Sequence, residues 1–254
     1  MLPTIDIGPL VIPTAGLVYI LGIWLALSVV EKAAAALRLH VAATYTVGVA
    51  ALAGGFIAAR VVFVVTHWSA YADNLLGIIW PLTSGFNFGA GLLVGIAAGF
   101  FYARARRLPA GDTLDALAPG ILVGLAMVSL ADFLAGPGYG KEADLLWSID
   151  LFDIRRHPVQ IYEIVVAALA LLGWHLQRSR REYAGQLFLL AAAIYSAGRL
   201  FVDAFRANAW LTAGGYHVLQ IILFILFMAC LFLLGYFARQ NAPAQAEVEA
   251  ASQG

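Results

Sequence analysis

Long apolar stretches alternate with short polar or turn-rich ones along the whole chain. A helix needs about 20 residues to cross the roughly 30 Å of hydrocarbon in a bilayer. Seven stretches approach that length: Thr14–Val30, Ala43–Val65, Phe88–Ala103, Leu114–Leu134, Val159–Gln177, Gly185–Phe201 and His217–Phe237. They predict an all-α, polytopic membrane protein of about seven helices, with a single membrane domain over residues 1–241. Turn-rich connections fall at His67–Phe86, Gly136–His157 and Arg206–Tyr216. The tail Ala242–Gly254 is mostly Ala, Gln, Glu and Ser with little to bury, so it is expected to be a disordered cytoplasmic tail.

Composition strengthens this reading. Of 254 residues, 62% are hydrophobic and 12% charged, about half the charge of an ordinary soluble domain. That excludes a soluble enzyme. Fifteen cations balance fifteen anions, which leaves no basic footprint for nucleic acid. The lone Cys230 excludes a disulfide framework. The histidines (40, 67, 157, 175 and 217) lie in separate segments without paired ligand spacing, so no metal site is expected.

Placed on the spans, the charges also predict orientation. Lys32, Arg38, Arg104, Arg106, Arg107, Arg178, Arg180, Arg181 and Arg239 all fall on one side. By the positive-inside rule that side faces the cytoplasm, which puts the N-terminus outside and the C-terminus inside. Met1–Pro13 has no basic residue, so the first span reads as a retained helix rather than a cleaved signal. Trp68, Trp80, Trp147 and Trp210 fall in the outer connections, where amphipathic rings favour the headgroup level.

Ionisable residues inside the spans are costly and usually line a cavity or pair with one another. Here they are Arg60, Asp115, Asp132, Glu163, Arg199 and Asp203, with Arg206 just beyond. Arg199 and Asp203 are spaced for an i,i+4 ion pair, with Arg206 three residues further on. His157–Pro158 opens the fifth span and places Gln160, Tyr162 and Glu163 near its outer edge. Pro158 reads as a first helical residue. Glu163 lies too deep to be a helix cap, so a polar pocket is expected there. Gly91, Gly95 and Gly99, and again Gly120 and Gly124, recur every fourth residue, a spacing that lets helix backbones approach closely. Gly85–Gly91 reads as irregular backbone entering the membrane.

These residues, taken in order, resemble a known family. Ile7-Gly8-Pro9-Leu10, Gly16-Leu17 and Tyr19 are similar to the opening of the prolipoprotein diacylglyceryl transferases, and Ala59-Arg60-Val61 to that family's A-R-L. Gly91-Leu92-Leu93-x-Gly95 resembles the end of H-G-G-L-L-x-G, and Arg106–Gly120 its basic loop and D-x-L-A-P segment. His157-Pro158-x-Gln160-x-Tyr162-Glu163 matches its H-P-x-Q-x-Y-E motif. Tyr195-x-x-x-Arg199-x-x-x-Asp203-x-x-Arg206 follows its Y-x-x-x-R-x-x-x-E-x-x-R, with Asp for Glu.

The resemblance implies a bacterial inner-membrane transferase without a cofactor. It would move the diacylglyceryl group of phosphatidylglycerol to the lipobox cysteine of a prolipoprotein, releasing glycerol phosphate. It implies catalytic roles for His157, Glu163, Arg199 and Asp203. It implies substrate-binding roles for Arg60, Asp115, Asp132, Gln160, Tyr162 and Arg206. His157 or Glu163 would assist removal of the thiol proton.

The chain also departs from the family pattern. Gly89 stands at the His of H-G-G, and Ala15 at an aromatic position of the first span. In the stretch Val128–Pro137, Ser129, Asp132, Ala135 and Pro137 stand where the family has Arg, Asn, Asn and Glu. Two readings follow: a transferase with an altered pocket, or a silent relative that binds lipid or lipoprotein in the same cavity. A transporter is disfavoured, since no inverted repeat is visible.

Overall fold

The computed structural model describes residues 4–8, 10–72, 75–79, 85–136, 138–151 and 153–252, and side chains at all of these except 6, 7, 10, 79 and 242–252. Its helices are α1 (Thr14–Ala36), α2 (Val41–Thr66), the short α3 (Leu76–Ile79), α4 (Phe88–Ala105), α5 (Ala110–Ala135), α6 (Val159–Gln177), α7 (Gln186–Asp203) and α8 (Val218–Ser252). All but α3 are long and apolar enough to cross a membrane. The helices start at or near the predicted positions but extend further, because Leu, Ala, Glu, Lys and Arg at the span ends are good helix formers. For the same reason α8 continues as helix to Ser252, where composition alone suggests no fixed structure. Residues 253 and 254 lie outside the described residues, as do Pro9, Trp80 and Pro137.

Hydropathy does not reveal two antiparallel hairpins. One joins β1 (Thr4–Ile7) to β2 (Leu10–Pro13) ahead of α1. The other joins β3 (Ile149–Leu151) to β4 (Ile154–Arg156) between α5 and α6, turning at Asp153 with φ +60°. Both lie at the end of the bundle that carries the longer connections, opposite the end that carries the basic loops. They are too short for hydrophobic alternation to register.

Two helix pairs and a central layer make up the bundle. α2 lies along α4 and α1 along α5, while α5, α6 and α7 pack side by side and α8 covers α7. A core of Ala33, Ala118, Leu122, Ala170, Trp174, Leu187 and Ala191 ties α1, α5, α6 and α7 together. Large apolar side chains such as Ile20, Trp24, Phe56, Leu93, Phe101, Phe224 and Phe232 point outward. Such a surface suits lipid, not water.

The repeated glycines sit at the two closest seams. A Cβ at Gly95 would lie 2.8 Å from the Ala51 carbonyl on α2. One at Gly120 would lie 2.3 Å from Val30 Cγ2 and 2.7 Å from the Ala26 carbonyl on α1. Dispersion between close backbones replaces a hydrophobic drive that lipid cannot supply. Gly136 has a different task. Its φ of +96° ends α5 in a left-handed cap, with its N–H donating to the Asp132 carbonyl at 2.9 Å.

Gly120→Leu is therefore expected to force α1 from α5 and cost about 1–3 kcal/mol or more. Gly124→Ala, whose nearest neighbour is Ala26 Cβ at 4.0 Å, should be tolerated. Thermal unfolding of the detergent-solubilised protein distinguishes the two.

Candidate active site

Glu163 is the centre of the polar cluster. It sits one turn inside α6, whose backbone starts immediately after Pro158; that proline is the residue just ahead of the helix rather than its first member. Glu163 is buried, 5% exposed. Its Oε2 accepts from Ser129 Oγ of α5 at 2.7 Å. Its Oε1 lies 2.9 Å from Arg199 Nη1 of α7 and also accepts from Arg206 Nη2, just beyond α7. One carboxylate thus binds two guanidinium groups and a hydroxyl from three different elements.

This arrangement displaces the i,i+4 pair expected between Arg199 and Asp203. Arg199 is instead drawn across to Glu163 on the facing helix. Asp203, 1% exposed, is held by His217 Nδ1 at 2.8 Å, just ahead of α8. Inside a low-dielectric bundle each charge takes the partner that removes it most completely from hydrocarbon. Here that partner lies on another element.

A cavity of about 340 Å³ opens beside the cluster. Ser129, Asp132, Glu163, Arg199, Asp203 and Arg206 form its polar wall, with Tyr195 among them. Leu125, Val128, Trp210 and Leu219 form an apolar side. Three buried atoms on residues of the polar wall have no hydrogen-bond partner among the described residues: Arg206 Nε, Asp203 Oδ1 and Arg199 Nη1, the last of which still lies within ion-pair distance of Glu163. The cavity is thus lined by two arginines and three carboxylates next to an apolar slot, while these unpartnered atoms lie behind its surface. Asp132 lies against the Tyr19 hydroxyl of α1 and within the field of Glu163, Arg199 and Arg206.

The connection between α5 and α6 braces this site. Lys141 N–H donates to the Phe205 carbonyl at 2.7 Å, and Ala207 N–H to the Tyr139 carbonyl at 3.1 Å. Both bonds fix the turn that carries Arg206. Trp147 Nε1 donates to the Tyr162 hydroxyl at 2.7 Å, and the same hydroxyl lies 3.2 Å from His157 Nδ1. His157 and Tyr162 thus form a small aromatic group with Phe205 beside the cavity rather than part of its wall. Gln160 is buried one turn before Glu163.

Two residues expected at the site lie elsewhere. Asp115 is fully buried at the basic end of α5. It accepts from the Gly185 and Phe188 N–H groups at 2.8 and 2.7 Å and pairs with Arg181 Nε at 2.9 Å. A carboxylate is stabilised at a helix N-terminus, where backbone donors lack partners, so Asp115 caps α7 from a neighbouring helix. Fourteen residues of helix separate it from Ser129, roughly 21 Å.

Arg60 of α2 donates to the carbonyls of Gly77 (2.5 Å), Ile78 (2.9 Å) and Gly85 (3.0 Å). Its guanidinium also lies over the rings of Tyr71 and Phe86. It therefore satisfies carbonyls of α3 and of Gly85 in the connection before α4; the irregular backbone expected over Gly85–Gly91 extends only to Asn87, which caps α4, and Phe88–Gly91 are helical.

Ser129 and Tyr195 appeared in the sequence only through the motifs they belong to, without their contacts, and sequence reasoning missed Trp210 and His217 as parts of this neighbourhood. Of these two, His217 left a usable signal. Gly214-Gly215 marks a turn that folds Leu211 back onto His217, bringing the start of α8 to the end of α7.

The geometry is that of an integral membrane protein with a buried, arginine-lined polar cavity open to an apolar slot, a form suited to an anionic amphiphile. Comparison with known proteins narrows this class. The family profile for prolipoprotein diacylglyceryl transferase matches residues 3–236, and the chain belongs to that family. Relatives bearing the name phosphatidylglycerol–prolipoprotein diacylglyceryl transferase include one from Geobacter sulfurreducens, 30% identical over 84% of this chain and 86% of its own. One from Clostridioides difficile is 27% identical over 77% and 78%, and one from Staphylococcus aureus is 25% identical over 96% and 92%.

If Glu163 holds the cluster together, Glu163→Gln should cost about 3–5 kcal/mol by leaving two arginines short of an anion. Ser129→Ala should cost about 1.5–3 kcal/mol, the value of one hydrogen bond to a charged group. Denaturation in detergent measures both, and equal losses would contradict the arrangement.

Proposed function

We propose that this protein transfers the diacylglyceryl group of phosphatidylglycerol, or a closely similar anionic phospholipid, to the lipobox cysteine of a prolipoprotein in the bacterial inner membrane. The observation that carries the reading is the pairing of Arg199 and Arg206 on one wall of a cavity whose other wall is apolar. Transfer to sulfur breaks a carbon–oxygen bond and leaves negative charge on a phosphate. Two guanidinium groups fixed in advance match that charge. Glu163 and Ser129 keep them fixed, so little reorganisation is needed as charge develops. The acyl chains would lie along the side lined by Leu125, Val128 and Leu219, continuous with the lipid phase.

Within this reading Arg199, Arg206 and Glu163 act on the leaving group, and Asp132 offers an acceptor to headgroup hydroxyls. Gln160, Tyr162 and His157 support the wall. Asp115 and Arg60 hold helices and a connection in place. The cavity end, with its hairpin and exposed tryptophans, would face outward, consistent with the basic residues gathered at the other end.

The alternative reading, a silent relative that binds lipid, is tested by the same experiment. The purified protein is incubated with phosphatidylglycerol and a lipobox peptide, and the peptide is analysed for a thioether-linked diacylglyceryl group. Product is expected; phosphatidylglycerol binding without product would establish the silent form. Arg199→Lys keeps a charge opposite Glu163 but removes the planar fork, and should slow transfer at least about tenfold while the protein stays folded.

Orientation has its own check. Leu146, 98% exposed beside Trp147, replaced by Cys, should react with a membrane-impermeant maleimide in intact spheroplasts. The native Cys230 is buried and should not.

A further inference from the structure

The transfer needs a base, and neither residue that the sequence suggested is placed to serve. Glu163 is committed to two arginines and a serine. His157 shares its Nδ1 with the Tyr162 hydroxyl and packs on Phe205, and neither of these partners belongs to the cavity wall. A thiol with a pKa of about 8.5 is mostly protonated at neutral pH and reacts as the thiolate.

We propose that His217, oriented by Asp203, takes the proton from the incoming cysteine thiol. This rests on the transferase reading above. Asp203 is nearly inaccessible yet forms part of the cavity wall, and its Oδ2 lies 2.8 Å from His217 Nδ1. An ionised carboxylate accepts only, so the imidazole proton sits on Nδ1 and the lone pair is left on Nε2. The ring is partly open, at 20% side-chain exposure. It is not itself in the cavity wall but stands directly behind it: Asp203, to which it bonds, lines the wall, as do Leu219 and Trp210, whose carbonyl accepts from Val218 N–H at 2.9 Å.

A buried carboxylate that fixes the tautomer of a histidine and then stabilises its imidazolium is the logic of an activated nucleophile. The charged groups around this pair are Asp203 itself, Arg199 on the same helix, Arg206 on the following turn and Glu163 from α6. Arg199 and Arg206 are occupied by Glu163, so Asp203 remains the counter-ion available to a protonated His217.

The step balances as follows. The S–H proton passes to His217 Nε2. The sulfur electron pair forms a bond to the terminal glyceryl carbon of the lipid. The carbon–oxygen bond to phosphate breaks, and its electrons leave on the phosphate oxygen, held by Arg199 and Arg206. Glycerol phosphate departs, and the imidazolium returns its proton to the phosphate or to water. Asp203 is then a positioning residue and His217 the catalytic one.

The test compares wild type, His217→Gln and His217→Ala with phosphatidylglycerol micelles and a lipobox peptide. Gln keeps a donor for Asp203 but has no basic nitrogen, so its rate should fall about 100-fold or more, with phosphatidylglycerol binding unchanged. The acid limb of the pH–rate profile should move up toward the titration of the free thiol. Added imidazole should restore part of the rate to the Ala variant and none to wild type. A wild-type rate with H217Q, or an unmoved pH profile, overturns the assignment while leaving the transferase reading intact. No product from wild type overturns both.

Discussion

The polar interior depends on one constraint: a carboxylate cannot be left alone in hydrocarbon. Glu163 is carried below the membrane edge by the first turn and a half of α6, where an unpaired charge would cost several kcal/mol. Three elements must therefore converge on it. α5 supplies Ser129, α7 supplies Arg199, and the turn after α7 supplies Arg206. The relative placement of α5, α6 and α7 follows from satisfying that group. The apolar clusters above and below it, such as Val159, Val166 and Val202, fill the space so defined.

A cluster that satisfies Glu163 still leaves something unfilled. Arginine brings five N–H donors, and Glu163 with Ser129 cannot use all of those on Arg199 and Arg206. The buried Arg206 Nε without a partner among the described residues is the consequence, and Asp203, whose Oδ1 is likewise unpartnered, belongs to the same cavity wall. In a finished structural ion pair such atoms would be a defect costing a few kcal/mol. In a site that awaits an anionic headgroup, the side chains that carry them line the binding surface. Stability and function thus use different parts of the same guanidinium groups.

Much of this was legible in the sequence, and the limits are physical. Hydropathy found all seven spans because a membrane helix must be apolar along most of its length. The glycine repeats pointed to close helix packing because only small residues permit such approach, and the fold shows that the partners are α2 for α4 and α1 for α5. The partners of the buried charges were a different matter. Spacing along one helix favours Arg199 with Asp203, but Glu163 faces Arg199 from another helix, and no periodicity encodes that. Asp115 looked like Glu163, since both are acids within apolar runs. Only the fold shows that one caps α7 at the basic end and the other anchors the cavity. The resemblance reached further than spacing because its motifs carry three-dimensional neighbours in linear order.

The departures from the family pattern take on meaning once the contacts are visible. Ser129 stands where the family motif has an arginine, yet its hydroxyl reaches Glu163 and leaves Arg199 and Arg206 as the cations there. With one guanidinium fewer, Asp132 meets a less positive environment and faces the Tyr19 hydroxyl from its own edge of the cavity. Three carboxylates and two arginines now line the space, with His217 behind Asp203. Such a balance holds a phosphate at the arginines while offering several acceptors to the hydroxyls beside it. A polyol phosphate headgroup fits this distribution better than a bare anion, because it brings hydroxyl donors to the carboxylates as well as an anion to the arginines. The substitutions at Ser129 and Asp132 therefore redistribute charge across the pocket without removing the pair of cations on which a phosphate leaving group depends.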